Sequence, residues 1–557
     1  MRQRIGLRPA RLYEPEVWHR DHRWGLGLVV VSTLGIVLFG FLGPSAVTLS
    51  LGPRSSPLPP WYAVTGWNTN PNDWVSVIGL YVAISLGAVG MWILTRATLD
   101  GWRPRIGRLM ALGVGLNTIT ALVPPMTSAD VLMYASYGRL QVLGRDPYEI
   151  TVGEILRSQY DPVVRWVEAP WVDTPTVYGP IVSGSQLLAN YLGGASMHDV
   201  VFWLQVLSLL PMIGIGLIVV RMARGNPLLQ TRAALFTLVN PAMIWAVVAQ
   251  AHNESLAVVL AIAAIACMRR WPALAGVLIG LAGGTKVNMV LYGLAMVHGY
   301  WRQPKKLAAM VAGAAVPLVL CYVVWQPEAL ISASRNTTYV NAGAWAGPVF
   351  GLLSRHVSWN LAKIIINVIA VVGWAAVAWM LSRLVGQRPL PGVEPGTDPL
   401  HDPTTVAIRT SAILYVSWLV TTPNSFSWYD LLAWAPLALA AGSRLDVLVL
   451  WRTTWLSLAF VTGRAIDFAP GVALMGARVR DTGCVIAQVL VVVEIVRWYR
   501  GHDKWLGEFR ARQAQAKTTG DQADPDGTAE TDPDGGSPCP DEEKPDPAPT
   551  PQSSQQP

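Results

Sequence analysis

WGLGLVVVSTLGIVLFGFLGPSAVTLSL, residues 24–51, carries no charged side chain along its whole length. About 20 apolar residues in a helix cross the ~30 Å hydrocarbon core of a bilayer, so this stretch predicts a transmembrane helix. Residues 1–23 before it are polar and rich in Arg, and no small-residue cleavage site follows a short apolar region. The run is therefore expected as a retained first span, and residues 1–23 as a cytoplasmic N-terminus. With a window of about 19 residues, further apolar runs fall near 74–95, 108–125, 200–220, 233–250, 255–268, 271–283, 287–301, 307–325, 361–381, 406–422, 429–441, 446–461 and 482–498. The expected fold is an all-α polytopic membrane protein of about 13–14 transmembrane helices, several of them short.

Composition agrees. Of 557 residues, 52% are hydrophobic and 14% charged, which is not the balance of a soluble protein. The net charge of +7 conceals a split, because from Thr518 onward there are ten acidic residues and one Lys, leaving +16 on the apolar body. That excess suggests anionic lipid head groups or phosphate-bearing substrates before nucleic acid, since no basic soluble module is present. Membrane lipids are expected partners and nucleic acid is not. The four cysteines show neither disulfide nor metal spacing, with Cys267, Cys321 and Cys484 in or beside apolar runs and Cys539 in the tail.

Arg and Lys collect beside alternate spans: Arg2, Arg4, Arg8 and Arg11; Arg96, Arg103, Arg105 and Arg108; Arg221, Arg224 and Arg232; Arg269 and Arg270; Lys305 and Lys306; Arg383 and Arg388; Arg497, Arg500 and Lys504. The positive-inside rule then makes both termini cytoplasmic in a multi-pass plasma-membrane protein. The organisation expected is N-terminal transmembrane helices over 24–125, a large extracytoplasmic loop over 126–199, and transmembrane helices over 200–500 with outer loops near 326–360 and 462–481. Segments 52–73 and 423–428 share the outer side. Residues 510–557 lack large apolar side chains and read as a disordered acidic cytoplasmic tail, and Pro-Gly punctuation over 388–403 reads as a flexible loop. The pair 271–283 and 287–301 is expected as two short helices meeting at Gly283-Gly284-Thr285-Lys286, a break tolerated only where it is buried in protein or lines a cavity.

Polar residues at costly places mark the candidate site. The run Thr127-Ser128-Ala129-Asp130 puts a carboxylate at the outer membrane boundary, where it is disfavoured unless it faces water or a protein cavity. On a helix starting near Ser128, the residues Asp130, Tyr134, Tyr137 and Gln141 share a face by i, i+3, i+4 spacing. A carboxylate among aromatic rings suits a sugar. The same residues also fit an interfacial helix capped by Ser128 or Asp130, with its tyrosines in the aromatic belt. The loop continues through Glu154, Asp161, Glu168, Trp171, Asp173 and Thr176-Val177-Tyr178-Gly179-Pro180, offering both flat aromatic faces and carboxylates, although charges on such a loop are usually only solvated. His252-Asn253-Glu254 stands between two spans, as a site or a polar turn. Lys286, at the helical break, either snorkels to the interface or offers a point charge to a phosphate beside backbone N–H groups. Arg335 could supply a bidentate phosphate contact or be an exposed loop residue.

Taken together, Asp130, Tyr134, Gly138-Arg139, Gly144-Arg145-Asp146-Pro147-Tyr148, Tyr178-Gly179-Pro180, His252-Asn253-Glu254 and Gly284-Thr285-Lys286 form an order of motifs that resembles the polytopic GT-C glycosyltransferases using polyprenyl-phosphate sugars. Within them the pattern is most similar to the actinobacterial α-1,6-mannosyltransferases that build the mannan backbone of lipomannan and lipoarabinomannan. The resemblance covers roughly residues 24–500. In some relatives the Asp146 position is Asn and the Glu254 position is Asp.

The resemblance implies that Asp130 is the catalytic base, that the donor is polyprenyl β-mannosyl phosphate, and that a lipid-anchored mannan acceptor receives mannose in an α-1,6 linkage with inversion. Lys286, Arg335, Arg139 and His252 would then serve the donor phosphate. Tyr134, Tyr137, Trp171, Asp173, Tyr178, Asn253 and Glu254 would serve the sugar or acceptor. The account needs no cofactor and no metal, although an outer acidic pair such as Asp130 and Asp173 could hold one. A polyprenyl-phosphate arabinosyltransferase and a lipid-linked sugar flippase or transporter are the competing readings. The second predicts ionisable residues near mid-membrane and short outer loops, the opposite of a long 126–199 segment with its charges at the boundary.

Overall fold

A computed structural model describes residues 15–55, 69–336, 339–385 and 402–501, without the side chains of 15–21 and 333–336. The N-terminal Arg cluster, most of the 388–403 loop, the side chain of Arg335 and the acidic tail lie outside the described residues.

The chain is all helix. In order come α1 (Pro15–Phe41), α2 (Asp73–Leu99), α3 (Ile106–Thr120), α4 (Asp130–Val142), α5 (Val152–Ser158), α6 (Pro180–Gly193), α7 (Met197–Met222), α8 (Pro227–Phe236), α9 (Pro241–Met243) and α10 (Glu254–Cys267). They are followed by α11 (Pro272–Gly283), α12 (Val290–Tyr300), α13 (Pro304–Val319), α14 (Glu328–Asn336), α15 (Ala346–Leu353), α16 (Trp359–Val385), α17 (Pro403–Thr421), α18 (Leu431–Leu439), α19 (Arg444–Ala459), α20 (Pro470–Arg478) and a helix over 485–501, α21. Among the described residues no strand forms, and β pairing is limited to the isolated antiparallel bridge between Thr48 and Met126.

Among the described residues seven helices are long and apolar enough to cross a bilayer: His22–Phe41, Asp73–Leu99, Met197–Met222, Pro227–Val248, Pro304–Trp325, Trp359–Val385 and Pro403–Thr421. The remaining apolar runs form shorter helices. At 1.5 Å per residue the 14 residues of α10 and the 12 of α11 reach only about 21 and 18 Å. As the sequence leads one to expect, α11 and α12 are separated at Gly284-Thr285-Lys286, where Lys286 is extended at φ −151° and ψ 139° and a single turn of tight helix follows at Val287–Met289.

Small residues let neighbouring helices touch. A Cβ on Gly276 or Gly280 of α11 would overlap backbone oxygens of Met310 and Ala314 on α13, and one on Gly313 would overlap Ala273 in return. Spacing of four along one face with direct backbone contact is how helices associate where lipid removes the hydrophobic drive. Charges inside are paired. Arg232 on α8 grips Asp446 on α19 through two bonds of 2.6 and 2.5 Å, and also donates to the Leu437 carbonyl. Arg452 on α19 pairs with Asp430 and donates to Leu419 O and Ser425 Oγ, fastening the 422–430 loop to the helix bundle.

The segments assigned to one side by charge meet one another. Residues from 126–199, 326–360, 423–428 and 462–481 line a single cavity. From the Arg- and Lys-bearing loops, Arg269 pairs with Asp402 at 3.0 Å, and Gly299 lies against the Pro403 carbonyl.

Candidate active site

The segment leading to α4 is held by the Thr48–Met126 bridge, with Leu49 N donating to Pro125 O and Thr127 N to Val47 O. Thr127 then takes φ +63°, a region a β-branched residue rarely occupies and one that costs about 1–3 kcal/mol. The bend brings the chain into α4 with Ala129 as the N-cap and no side chain capping the helix. Neither capping alternative for this stretch is therefore realised: Ser128 Oγ only meets Asp130 N at 3.4 Å, and the Asp130 carboxylate is left for the cavity.

That cavity holds about 450 Å³, and Asp130, Met133, Tyr134 and Tyr137 contribute the α4 face to it. Gln141 leaves the face and donates to Ser183 O at 3.1 Å, toward α6. Burial pushes the Asp130 carboxyl up to about 6, the Glu254 carboxylate adds to the rise, and Lys286 and the Trp171 side chain oppose it. Tyr134 and Tyr178, also raised by burial, keep their hydroxyl protons. Tyr178 donates to Tyr134 at 3.1 Å, and the Tyr134 hydroxyl meets His252 Nδ1 at 3.1 Å.

A second cavity of about 370 Å³ adjoins the first, and Val177, Tyr178, Asn424 and Tyr429 line both. Its other walls are mostly apolar, with Val290 and Leu291 from α12, Ala370, Val371 and Trp374 from α16, and Trp418 from α17. Lys286 lines it at the shared wall, its ammonium 5.1 Å from the Tyr178 ring centre and 5.6 Å from that of Tyr429. Beside it Asn288 and Asn424 each bury an Oδ1 that has no hydrogen-bond partner among the described residues.

Two motifs far apart in sequence build this junction. Gly179 N donates to Thr285 O and Ile181 N to Gly284 O, both at 2.9 Å, so the Tyr178-Gly179-Pro180 segment satisfies the carbonyls freed by the helical break. A Cβ at Gly179 would overlap the Gly284 oxygen. Gly179→Ala is therefore expected to destabilise the fold by about 1–3 kcal/mol, as overpacking does, and to lower activity by displacing Tyr178; thermal unfolding in detergent and a transfer assay read the two effects.

Several expected site residues stand elsewhere. Arg139 lines neither cavity; its Nε binds Asp161 at 2.8 Å, within the packing of α4 on the 161–166 segment. His252 is fully buried, stacked on Trp428 at 3.7 Å, with Nε2 3.2 Å from Gln250 Oε1. Burial and Lys286 drive its imidazole well below the usual range, so it backs Tyr134 as a neutral ring and is not a cation for phosphate. Asp173 is paired at the surface with Arg157 at 2.8 Å and does not line the Asp130 cavity. Asn253 lies behind Tyr134, lining a pocket of only about 20 Å³ with His252. Glu254, the first residue of α10, does not face either cavity; one oxygen pairs with Lys286, and Oε2 is buried without a hydrogen-bond partner among the described residues. Trp171, Tyr137 and Tyr178 do line the Asp130 cavity.

The sequence reading did not single out Tyr339, Asn424, Tyr429, Arg464 or Arg480, all of which line that cavity. Arg464 is committed, binding Glu168 at 3.0 and 2.6 Å and the carbonyls of Ser45, Ala46 and Thr48. Their one available signal was topological, since four of the five lie in segments placed on the outer side and Tyr429 directly beside one.

Residues 31–303 match the family described as alpha-(1->6)-mannopyranosyltransferase, N-terminal domain. A protein of Mycolicibacterium smegmatis, named a probable alpha-(1->6)-mannopyranosyltransferase, is 29% identical over 270 residues, covering 47% of this chain and 44% of the relative. The chain's match thus spans less than half the length of that relative. No solved structure matches. Asp130, Tyr178, Glu254 and Lys286 fall within the matched residues, and Tyr339, Asn424, Tyr429 and Arg480 lie beyond them.

Proposed function

We propose that this chain, whose residues 31–303 match the alpha-(1->6)-mannopyranosyltransferase N-terminal domain, moves mannose from polyprenyl β-mannosyl phosphate to an α-1,6-mannan acceptor of the lipomannan type, with inversion, at the extracytoplasmic face of the plasma membrane. The observation that carries the reading is the pair of adjoining cavities, one mostly apolar and one containing a carboxylate, with a lysine at their common wall. A donor that joins a prenyl chain to a sugar through one phosphate has the same three parts in the same order.

In this reading the prenyl chain occupies the groove between α12, α16 and α17, the phosphate sits by Lys286, and the mannose extends toward Asp130. The Asp130 carboxylate takes the proton from the acceptor's primary hydroxyl. The oxygen forms its bond to C1 as the bond from C1 to the phosphate oxygen breaks, its electron pair leaving with polyprenyl phosphate. Attack opposite the leaving group converts the β donor into an α product. A positioned base of this kind contributes typically ~10²–10⁴ in rate, and a pKa close to the working pH makes a stronger base than an ordinary carboxylate without leaving it protonated. The leaving phosphate gains charge as the bond breaks, and the Lys286 ammonium stabilises that charge most where water is excluded. The Oδ1 atoms of Asn288 and Asn424, without a partner among the described residues, are acceptors and suit a sugar hydroxyl, not the phosphate.

Glu254 acts on both ends through Lys286 and through its field on Asp130. Because its charge raises the Asp130 carboxyl, Glu254→Gln is expected to lower that pKa and move the acidic limb of the kcat/KM profile to lower pH. An unmoved limb would remove Asp130 as the group that titrates there. The function itself is tested by incubating membranes containing the full chain with radiolabelled polyprenyl-phosphomannose and a short α-1,6-mannoside. Elongated mannoside is the expected product, and its absence with the chain present in the membrane would overturn the reading.

A further inference from the structure

Lys286 lines the apolar cavity and not the Asp130 cavity, and one part of the Asp130 cavity differs in chemistry from the junction. There the Trp171 and Tyr339 rings meet edge to face with centroids 5.1 Å apart. Both line the cavity, as does Arg480, and Tyr339 lies within the electrostatic reach of Asp130 on one side and Arg480 on the other. Among the described residues Arg480 is tied only to its neighbour Asp481, through Nε at 2.6 Å and Nη2 at 3.2 Å, in a pair with side chains about 39% and 45% exposed. Two of its five N–H groups are used there, which leaves the others for a ligand. Tyr339 is 37% exposed, an aromatic face turned partly to solvent.

Displacement with inversion requires the attacking oxygen and the leaving oxygen on opposite sides of C1. If the phosphate stands by Lys286, the acceptor must approach from the other end. We propose that Trp171, Tyr339 and Arg480 form an acceptor subsite that takes the mannose residue next to the one being extended in an α-1,6-linked mannooligosaccharide. The aromatic pair covers the apolar face of that ring and Arg480 donates to its hydroxyls. This inference rests on the reading that the junction receives the donor phosphate. It makes the 339 and 480 positions, which belong to two different outer segments, determinants of acceptor length.

The test compares two synthetic acceptors with the same alkyl aglycone, an α-mannoside and the α-1,6-linked mannotrioside, using the full chain in membranes with polyprenyl-phosphomannose. The wild-type chain is expected to favour the trioside. In Tyr339→Ala and Arg480→Ala the ratio of kcat/KM for trioside over monosaccharide is expected to fall about tenfold, the size of a lost stacking or polar contact. Tyr339→Phe, which keeps the ring, is expected to retain the wild-type ratio. The ratio is internal to each preparation, so it does not depend on how much variant folds; if Tyr339→Ala is inactive with both acceptors, Tyr339→Leu and Arg480→Gln carry the measurement. An unchanged ratio in active variants would overturn the subsite while leaving the donor reading intact. Failure of the wild-type chain to transfer to either acceptor would overturn the donor reading and the subsite with it.

Discussion

Asp130→Asn is expected to lose transfer by about 10²–10⁴-fold while making the folded chain more stable at neutral pH. The two effects share a cause. An Asp whose folded pKa is raised to about 6, above the ordinary 3.8, favours the protonated form in the fold, so ionising it opposes folding. That cost is absent below about pH 4, grows as pH rises through the folded pKa, and is complete above it. At neutral pH it amounts to about 1–3 kcal/mol, the upper figure being the whole shift and the lower allowing for solvent reaching the cavity. An amide of the same shape removes the charge and with it the cost. Thermal midpoints of the two proteins should therefore coincide near pH 4, separate as the pH rises to about 6, and keep a constant gap above it. A variant that lost activity and stability together would speak for a structural carboxylate.

Lys286→Ala carries the second large effect, and it falls on donor use and stability at once. Its ammonium, 12% exposed, pairs with a Glu254 carboxylate that is 1% exposed. Removing one member of a buried pair leaves the other charged and uncompensated, a loss of about 3–5 kcal/mol. Donor kcat/KM should fall on the order of 10²-fold from the missing charge at the phosphate, with a smaller change in acceptor KM. The double variant Lys286→Met with Glu254→Gln separates the two, because it removes both charges and should recover most of the stability but none of the donor use. Equal losses for donor and acceptor in that double variant would argue against a phosphate contact.

The sequence discloses a position that is expensive wherever it lies, and hides a position whose meaning depends on a partner. Asp130 is visible because a carboxylate at the end of an apolar run needs a reason, and the helical break is visible because Gly-Gly-Thr-Lys interrupts two runs too short to cross a membrane. The clasp that closes the break is not, since its donors, the backbone groups of Gly179 and Ile181, lie about a hundred residues earlier. Arg139 and His252 have the side chains a phosphate site needs, yet Asp161 and Trp428 claim them, and nothing local in the chain announces those partners. Glu254 looks like a sugar ligand until Lys286, 32 positions later, is seen to occupy it. Tyr339 and Asn424 come from short irregular segments with no periodicity to read, Arg480 from the π-helical turn Val479–Cys484 after α20, and only the fold gathers them.

The proposed arrangement of a donor across the two cavities is tested directly with a polyprenyl-phosphomannose analogue that carries a photoreactive group in its prenyl chain, crosslinked to this chain in membranes and mapped by mass spectrometry. The account predicts adducts on the walls contributed by α12, α16 and α17, at residues such as Leu291, Val371 and Trp418, lost on competition with unlabelled donor. Competable adducts confined to helices away from that groove, with those walls unlabelled, would contradict it.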